Sequence, residues 1–186
     1  NPKIGSSVGF LGGYLFKLDP TSTSSMVGAS GSYSDTDSVT ANLFLRSFWD
    51  SDRKRVIAAV SNGKIRNDYE DYLGSGQQVA TTDNMKLAFA RYLQNIHSHW
   101  FLGAQAIYTN YFIDTDNVMA GDILSLLGLS GYTSGALGLV TTFDSRDNQN
   151  SPSSGISFNA NNFAYRENLG GEEDFDVYRV TFQQYL

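Results

Sequence analysis

The chain has 186 residues, 18 glycines, no cysteine and a formal charge of −6, with 17% charged and 13% aromatic residues. Its length suits one domain with a sizeable core, but soluble domains usually carry about 25% charged residues. The absence of cysteine excludes disulfides, thiolate metal sites and a cysteine nucleophile. The acidic balance argues against a nucleic-acid partner, and no apolar run is long enough for a membrane-spanning helix.

Apolar and polar residues alternate with a period of two along most of the chain, which predicts extended strands. In chain order the alternating segments are 6–18, 24–34, 38–49, 54–66, 84–94, 99–112, 133–145, 155–165 and 176–186. Short connections alternate with longer ones at 67–83 and 113–131, and the second of these contains an apolar stretch, 123–127, that suits a short helix or an added strand. The pattern predicts an all-β, antiparallel meander in a single domain, 1–186.

The length and composition of these segments favour a membrane barrel. A tilted strand needs about 9–11 residues to cross a bilayer, whereas ordinary strands average about five or six. Aromatic residues such as Trp49, Tyr92 and Trp100 gather at segment ends, as in interfacial girdles. We therefore expect an antiparallel transmembrane β-barrel of about eight to ten strands in this chain, which is either complete or part of a larger barrel. Polar residues that the alternation assigns to its lumen are Asn42, Arg46, Lys86, Gln105, Asn159 and Arg179.

A soluble barrel or sandwich would show the same alternation with its apolar face turned inward, so this alternative stays open. An enzyme would need a constellation that the sequence does not display. His97-Ser98-His99 has no convincing third metal ligand and is interpreted as a polar turn. The acidic residues of the longer connections lack calcium-loop spacing and suit a solvated surface. We predict no catalytic residues, no metal and no cofactor.

The most specific motif lies between the seventh and eighth segments, where residues 143–155 read FDSRDNQNSPSSG. Asp144 and Asp147 can accept backbone N–H groups, and Arg146 can pair with either carboxylate, which would fix a tight turn. The motif residues are Asp144, Arg146, Asp147, Asn148, Pro152 and Gly155. This D-x-R-D-N-x-x-x-P-x-x-G pattern between two strands resembles the BamA/TamA family of outer-membrane assembly barrels, the bacterial surface antigen family, in which it forms a periplasmic turn. The aromatic-rich segment 177–185 and the Gly-rich opening strand are also similar to that family.

The resemblance implies the N-terminal and middle part of a family barrel in the bacterial outer membrane. Its neighbours there would be outer-membrane lipid and lipopolysaccharide, with other outer-membrane or periplasmic proteins as partners. The implied role is to insert or translocate other β-rich chains, or to anchor a partner. For this role we expect a weak seam at the Ser- and Gly-rich segment 24–34, which would template incoming strands. The alternative is a passive structural barrel or narrow pore.

Overall fold

The computed structural model describes residues 5–69, 78–148 and 151–186. These residues form one nine-stranded antiparallel sheet in which every strand pairs with its neighbours in sequence. The strands are β1 (Ser7–Phe16), β2 (Ser25–Ser34), β3 (Val39–Trp49), β4 (Lys54–Tyr69), β5 (Val79–His97), β6 (Trp100–Thr115), β7 (Gly131–Asp144), β8 (Gly155–Tyr165) and β9 (Phe175–Tyr185). The predicted all-β antiparallel meander is confirmed.

The connection between β6 and β7 contains one helix, α1 (Val118–Leu126). The Asn117 side chain caps it by accepting the Ala120 N–H at 3.1 Å. The helix buries Ala120 and Leu124 against Val79 and Ile113 of the sheet. The sequence allowed either a helix or a strand for the stretch 123–127. In the structure it forms the second half of α1 and its C-terminal cap, Leu127. Within the described ranges, no helix is both long and apolar enough to cross a membrane.

The sheet is strongly curled. Arg55 lies on β4 and Asp144 ends β7, so in a flat sheet at least three strand spacings, about 14 Å, would separate them. Their side chains nevertheless meet, with 3.0 Å between Arg55 Nη1 and Asp144 Oδ2. The face that carries these two residues is therefore the concave face. Beneath them, Leu93, Phe101 and Val140 form a small buried cluster.

The opposite, convex face is apolar and exposed. Large side chains stand out along it, with Val8 72%, Leu139 66% and Val180 69% exposed. The total accessible surface is 11389 Å², whereas a globular protein of 20.4 kDa would expose about 8,800 Å². Soluble domains normally pack a second layer over such a face. Here the described residues supply one curled layer.

The sheet is open, since among the described residues β1 pairs only with β2 and β9 only with β8. Both edge strands are exposed along nearly their whole length. Eight successive antiparallel steps leave β1 and β9 running in the same direction. Direct pairing of the two edges would thus be parallel, and an all-antiparallel closure would need an odd number of further strands.

Two short turns at one end of the sheet are fastened to each other. Asp19, in the β1–β2 turn, accepts the Asp50 N–H at 2.8 Å. Asp52, in the β3–β4 turn, accepts the Thr23 N–H at 2.7 Å and lies with Asp50 in the left-handed backbone region. Hydrogen bonds to its carboxylate hold the pKa of Asp19 at about 2, and the bond from the Ser22 hydroxyl contributes most. These contacts fix the first two hairpins relative to one another.

Candidate functional site: the concave polar face

The strand register places five of the six predicted lumen residues on the concave face. Directly opposite residues of an antiparallel ladder point to the same side of the sheet. Arg46 on β3 is opposite Ile57 on β4, which is opposite Arg91 on β5, which is opposite Gln105 on β6. By the same register, the five residues that share this face are Asn42, Arg46, Gln105, Asn159 and Arg179.

Lys86 does not join them, and its assignment to the polar face requires correction. It pairs with Asn62 on β4 and Asn110 on β6, all on the convex face. On β5 the smaller apolar residues, Ala88 and Ala90, are convex, while the larger ones are concave. Both faces of this strand are therefore apolar in composition, so alternation alone did not determine which way it faces. Lys86 belongs to a polar row that borders the apolar convex band.

A chain of hydrogen bonds crosses the concave face from β5 to β8. Arg91 Nε donates to Gln105 Oε1 at 2.8 Å. The Gln105 amide then donates to the Asn162 carbonyl at 2.9 Å and to Asn161 Oδ1 at 3.2 Å. Gln105 reaches β8 across β7 because its partner on β7 is Gly138, which has no side chain. The amide is 3% exposed and is held at both ends.

The second group on this face is an ion cluster at the end with the short turns. Asp144 accepts from Arg55 Nη1 at 3.0 Å and from Arg146 Nε at 2.8 Å. Its side chain is 3% exposed, and those of the two arginines are 12% and 18% exposed. The Arg55 guanidinium also lies 3.7 Å from the centre of the Phe101 ring. A carboxylate this buried is stabilised by two cations at once, so the cluster ties β4 to the β7–β8 turn.

The described part of the β7–β8 turn is organised around Asp147. Its carboxylate accepts the backbone N–H groups of Asn148, Ser153 and Ser154 at 2.9, 3.0 and 3.2 Å, and the Ser153 hydroxyl. These hydrogen bonds hold the pKa of Asp147 at about 2, and the bond from the Ser153 hydroxyl contributes most. Arg146 pairs with Asp144, one of the two carboxylates the sequence allowed.

The end of that turn depends on a glycine. Gly155 begins β8 with φ +109°, and a Cβ there would meet the Ser145 carbonyl at 2.4 Å. Asn148 accepts the Ser151 N–H at 3.1 Å, and Pro152 follows before the strand begins. The motif thus spans this one turn, from Asp144 at the end of β7 to Gly155 at the start of β8. Residues 149–150 are outside the described ranges.

The predicted lumen set omits three residues of the concave face, Arg55, Arg91 and Asn161. Asn161 lies two positions from Asn159, so strand alternation places it on the same face. Arg91 lies five positions from Lys86 and therefore faces the opposite side, and the set contains no residue of β4 from which Arg55 could be placed. His97 and His99 lie at the tight β5–β6 turn, where Ser98 has φ +47°. In the part of the chain that the structure describes, no three His, Asp or Glu side chains are grouped to hold a metal ion.

Comparisons with known proteins add no relative. A scan against protein-family models found no match for the chain, and a search of curated proteins found no similar sequence.

Proposed function

We propose that this chain forms part of the wall of a transmembrane β-barrel in the bacterial outer membrane. The observation that carries the proposal is the distribution of side chains on the curled sheet: the convex face carries an exposed apolar band, whereas the arginines and the buried amide of Gln105 lie on the concave face, among apolar residues. In a membrane barrel, apolar residues face lipid and polar residues face the lumen. The strands are 10 to 19 residues long, which suffices for a tilted crossing.

Aromatic residues on the convex face support the same orientation. Trp100 contacts Phe143 and Phe158, with ring centres 5.2 and 6.4 Å apart, and Trp49 lies 6.2 Å from Tyr92. All are near the end with the short turns. Such a girdle is typical of the boundary between lipid tails and headgroups, so we place outer-membrane lipid and lipopolysaccharide against this face.

We further propose a role like that of the BamA/TamA assembly family, in which the chain helps to insert or translocate other β-rich chains, or anchors a partner protein. The observation that supports it is the free edge of β1. This strand has no charged residue and no proline, the features that proteins use to protect an exposed edge. An incoming strand could add to it by main-chain hydrogen bonds.

This free edge lies at β1 and not in segment 24–34, where the sequence predicts a weakly paired strand that would template incoming strands. β2 occupies that segment and is paired on both sides, with Val27 opposite Tyr14 of β1 and Leu45 of β3. Its interior place in the sheet leaves no ladder for a new strand. The sheet has two free edges, β1 and β9, and the one without charged residues is β1.

Disulfide crosslinking tests the assembly role. In cells, Leu11→Cys on β1 would be combined with single cysteines scanned along a stalled barrel substrate, and Ser30→Cys, directly opposite it on paired β2, serves as the matched control. We expect crosslinks from Leu11→Cys at one substrate register and none from Ser30→Cys. Equal crosslinking from both positions, or none from β1, would refute the templating role.

The alternative is a passive barrel or narrow pore, and the crossing hydrogen bonds from Arg91 to Asn161 favour it specifically. Small barrels fill their interior with such side chains. Heat-modifiability on gels separates the cases: a shifted, protease-resistant unboiled band from these 186 residues alone would favour a closed compact barrel. An unshifted band would favour a sheet completed by further strands. Solubility as a monomer without detergent would exclude the membrane proposal.

A further inference from the structure

Positive charge is concentrated on the concave face although the chain as a whole has a charge of −6. Four arginines lie in two neighbouring rows of cross-strand partners. The first row contains Arg46 and Arg91, and the second contains Arg55 and Arg179. Neither row contains an Asp or Glu. A sheet face that only had to contact water would not require this excess of arginine over acidic residues.

Arg91 and Arg179 lie on the same face of the curled sheet, on β5 and β9, and polar side chains link their positions. Arg91 Nε donates to Gln105 Oε1, the Gln105 amide donates to Asn161 Oδ1, and Asn161 is directly opposite Arg179. Arg55 is neutralised by Asp144, but within the described ranges no ion pair involves Arg91 or Arg179. Two cations on one concave face, linked through the same side-chain network and without an acidic partner, would attract an anion to that face.

The side chains around this pair fix Arg91 and leave donors available. Its Nε is committed to Gln105, which is buried and anchored on β8. The Nη groups of Arg91 have no hydrogen-bond partner among the described residues, since its other close contact is with the Phe89 ring at 5.6 Å. Asn161, which contacts Gln105, is directly opposite Arg179 on β9. Guanidinium donors held in this way suit the oxygen atoms of an oxyanion.

We propose that Arg91 and Arg179 form a binding site for small inorganic anions on the concave face. In the barrel, on which this second step rests, the same residues make the aqueous path along that face selective for anions. Rings of Arg or Lys side chains are the usual source of anion selectivity in pores. Arg46 lies in the same row as Arg91 and extends the positive potential toward β3.

Binding is tested without any need for conduction. The full chain would be folded in a zwitterionic detergent and titrated with sodium sulfate while the arginine Nε–Hε resonances are followed by NMR. We expect saturable shifts for Arg91 and Arg179. Arg179→Gln should raise the half-saturating sulfate concentration about fivefold, the effect of one nearby unit charge in hydrated surroundings, and Arg179→Lys should change it less.

The matched control is Arg66→Gln, which removes the same charge from the exposed convex face of β4. It should leave the titration unchanged. The absence of saturable shifts in the folded chain, or an equal effect of Arg66→Gln, would overturn the site.

Selectivity is measured as the reversal potential in a planar bilayer under a KCl gradient. We expect preference for chloride over potassium, reduced toward no preference when Arg91→Gln and Arg179→Gln are combined. A preference for potassium in the unaltered chain would overturn the second step. A chain that binds sulfate but fails to insert into lipid vesicles would refute the membrane proposal and leave the anion site intact. A chain that inserts but does not bind sulfate would refute the anion site and leave the membrane proposal intact.

Discussion

The convex and concave faces of this sheet are made by the same nine strands, yet they follow opposite rules. On the convex face, Leu139 is 66% exposed, and Val8 and Val180 are exposed to a similar extent. On the concave face, Gln105 is 3% exposed and fully hydrogen-bonded. Exposed apolar surface costs about 25 cal/mol per Å² in water, so contact with an apolar layer would stabilise a face like the convex one. In the barrel proposed above, lipid is that layer, and it covers the face on which the described residues pack no second layer.

The largest effect on stability is expected at the buried ion cluster of the concave face. Asp144→Asn would leave Arg55 and Arg146 without their shared carboxylate. We expect a loss of about 3–5 kcal/mol in the free energy of unfolding, as for a buried pair that loses one partner. Denaturant unfolding in detergent micelles measures it.

The control for that variant is Asp176→Asn. Asp176 pairs with Arg166 at 3.0 Å, but both side chains are more than a third exposed, so the loss should stay below about 1 kcal/mol. Equal losses for the two variants would mean that the concave cluster is as solvated as the surface.

The next largest effect is expected on the convex face. Leu139→Arg places a charge in the middle of the apolar band and should destabilise the protein in lipid vesicles by about 2–4 kcal/mol. Thr181→Arg adds the same side chain to the exposed concave side of β9 and should have little effect. If Leu139→Arg instead keeps its stability and becomes soluble without detergent, the convex face is exposed to water.

The sequence predicts the nine strands well because period-two alternation is a local property. It also predicts the face of Asn42, Arg46, Gln105, Asn159 and Arg179, whose strand neighbours are apolar. It fails at Lys86, because β5 carries alanines on one face and larger apolar residues on the other, so polarity does not distinguish the faces.

The contacts between distant strands could not be predicted. Arg55 meets Asp144 only because the sheet curls, and curvature depends on side chains from several strands together. The turn motif is the reverse case: Asp147 bonds within seven residues, so its geometry follows from local chemistry.

A substitution at Gly138 tests whether the Gln105 contact with β8 depends on the absence of a side chain on β7. A Cβ at this position would meet the Asn162 carbonyl at 1.8 Å and obstruct the Gln105 amide. Gly138→Ala should therefore cost more than about 1 kcal/mol and shift the Gln105 side-chain resonances in NMR spectra.

Gly63→Ala is the matched control for that variant. Gly63 is also a concave strand glycine, but its Cβ would meet only Thr40 Cγ2, at 4.0 Å. That variant should be neutral or more stable by about 0.4–1 kcal/mol. An equal loss of stability in Gly63→Ala and Gly138→Ala would show that the loss comes from the backbone flexibility of strand glycines. It would then not come from obstruction of the Gln105 side chain where it passes over Gly138.

The smallest effect is expected outside both faces, in the β7–β8 turn. The pKa of Asp147 is about 2, below its ordinary value of 3.8, so the folded state favours the ionised carboxylate. Its contribution to stability is complete above pH 3.8 and is lost as the pH falls through about 2. Asp147→Asn should remove this part of the acid dependence while leaving the strands unchanged. Acid titration of unfolding, compared with the unaltered chain, measures the difference, and identical acid profiles would show that the Ser153 and Ser154 hydrogen bonds do not stabilise the turn.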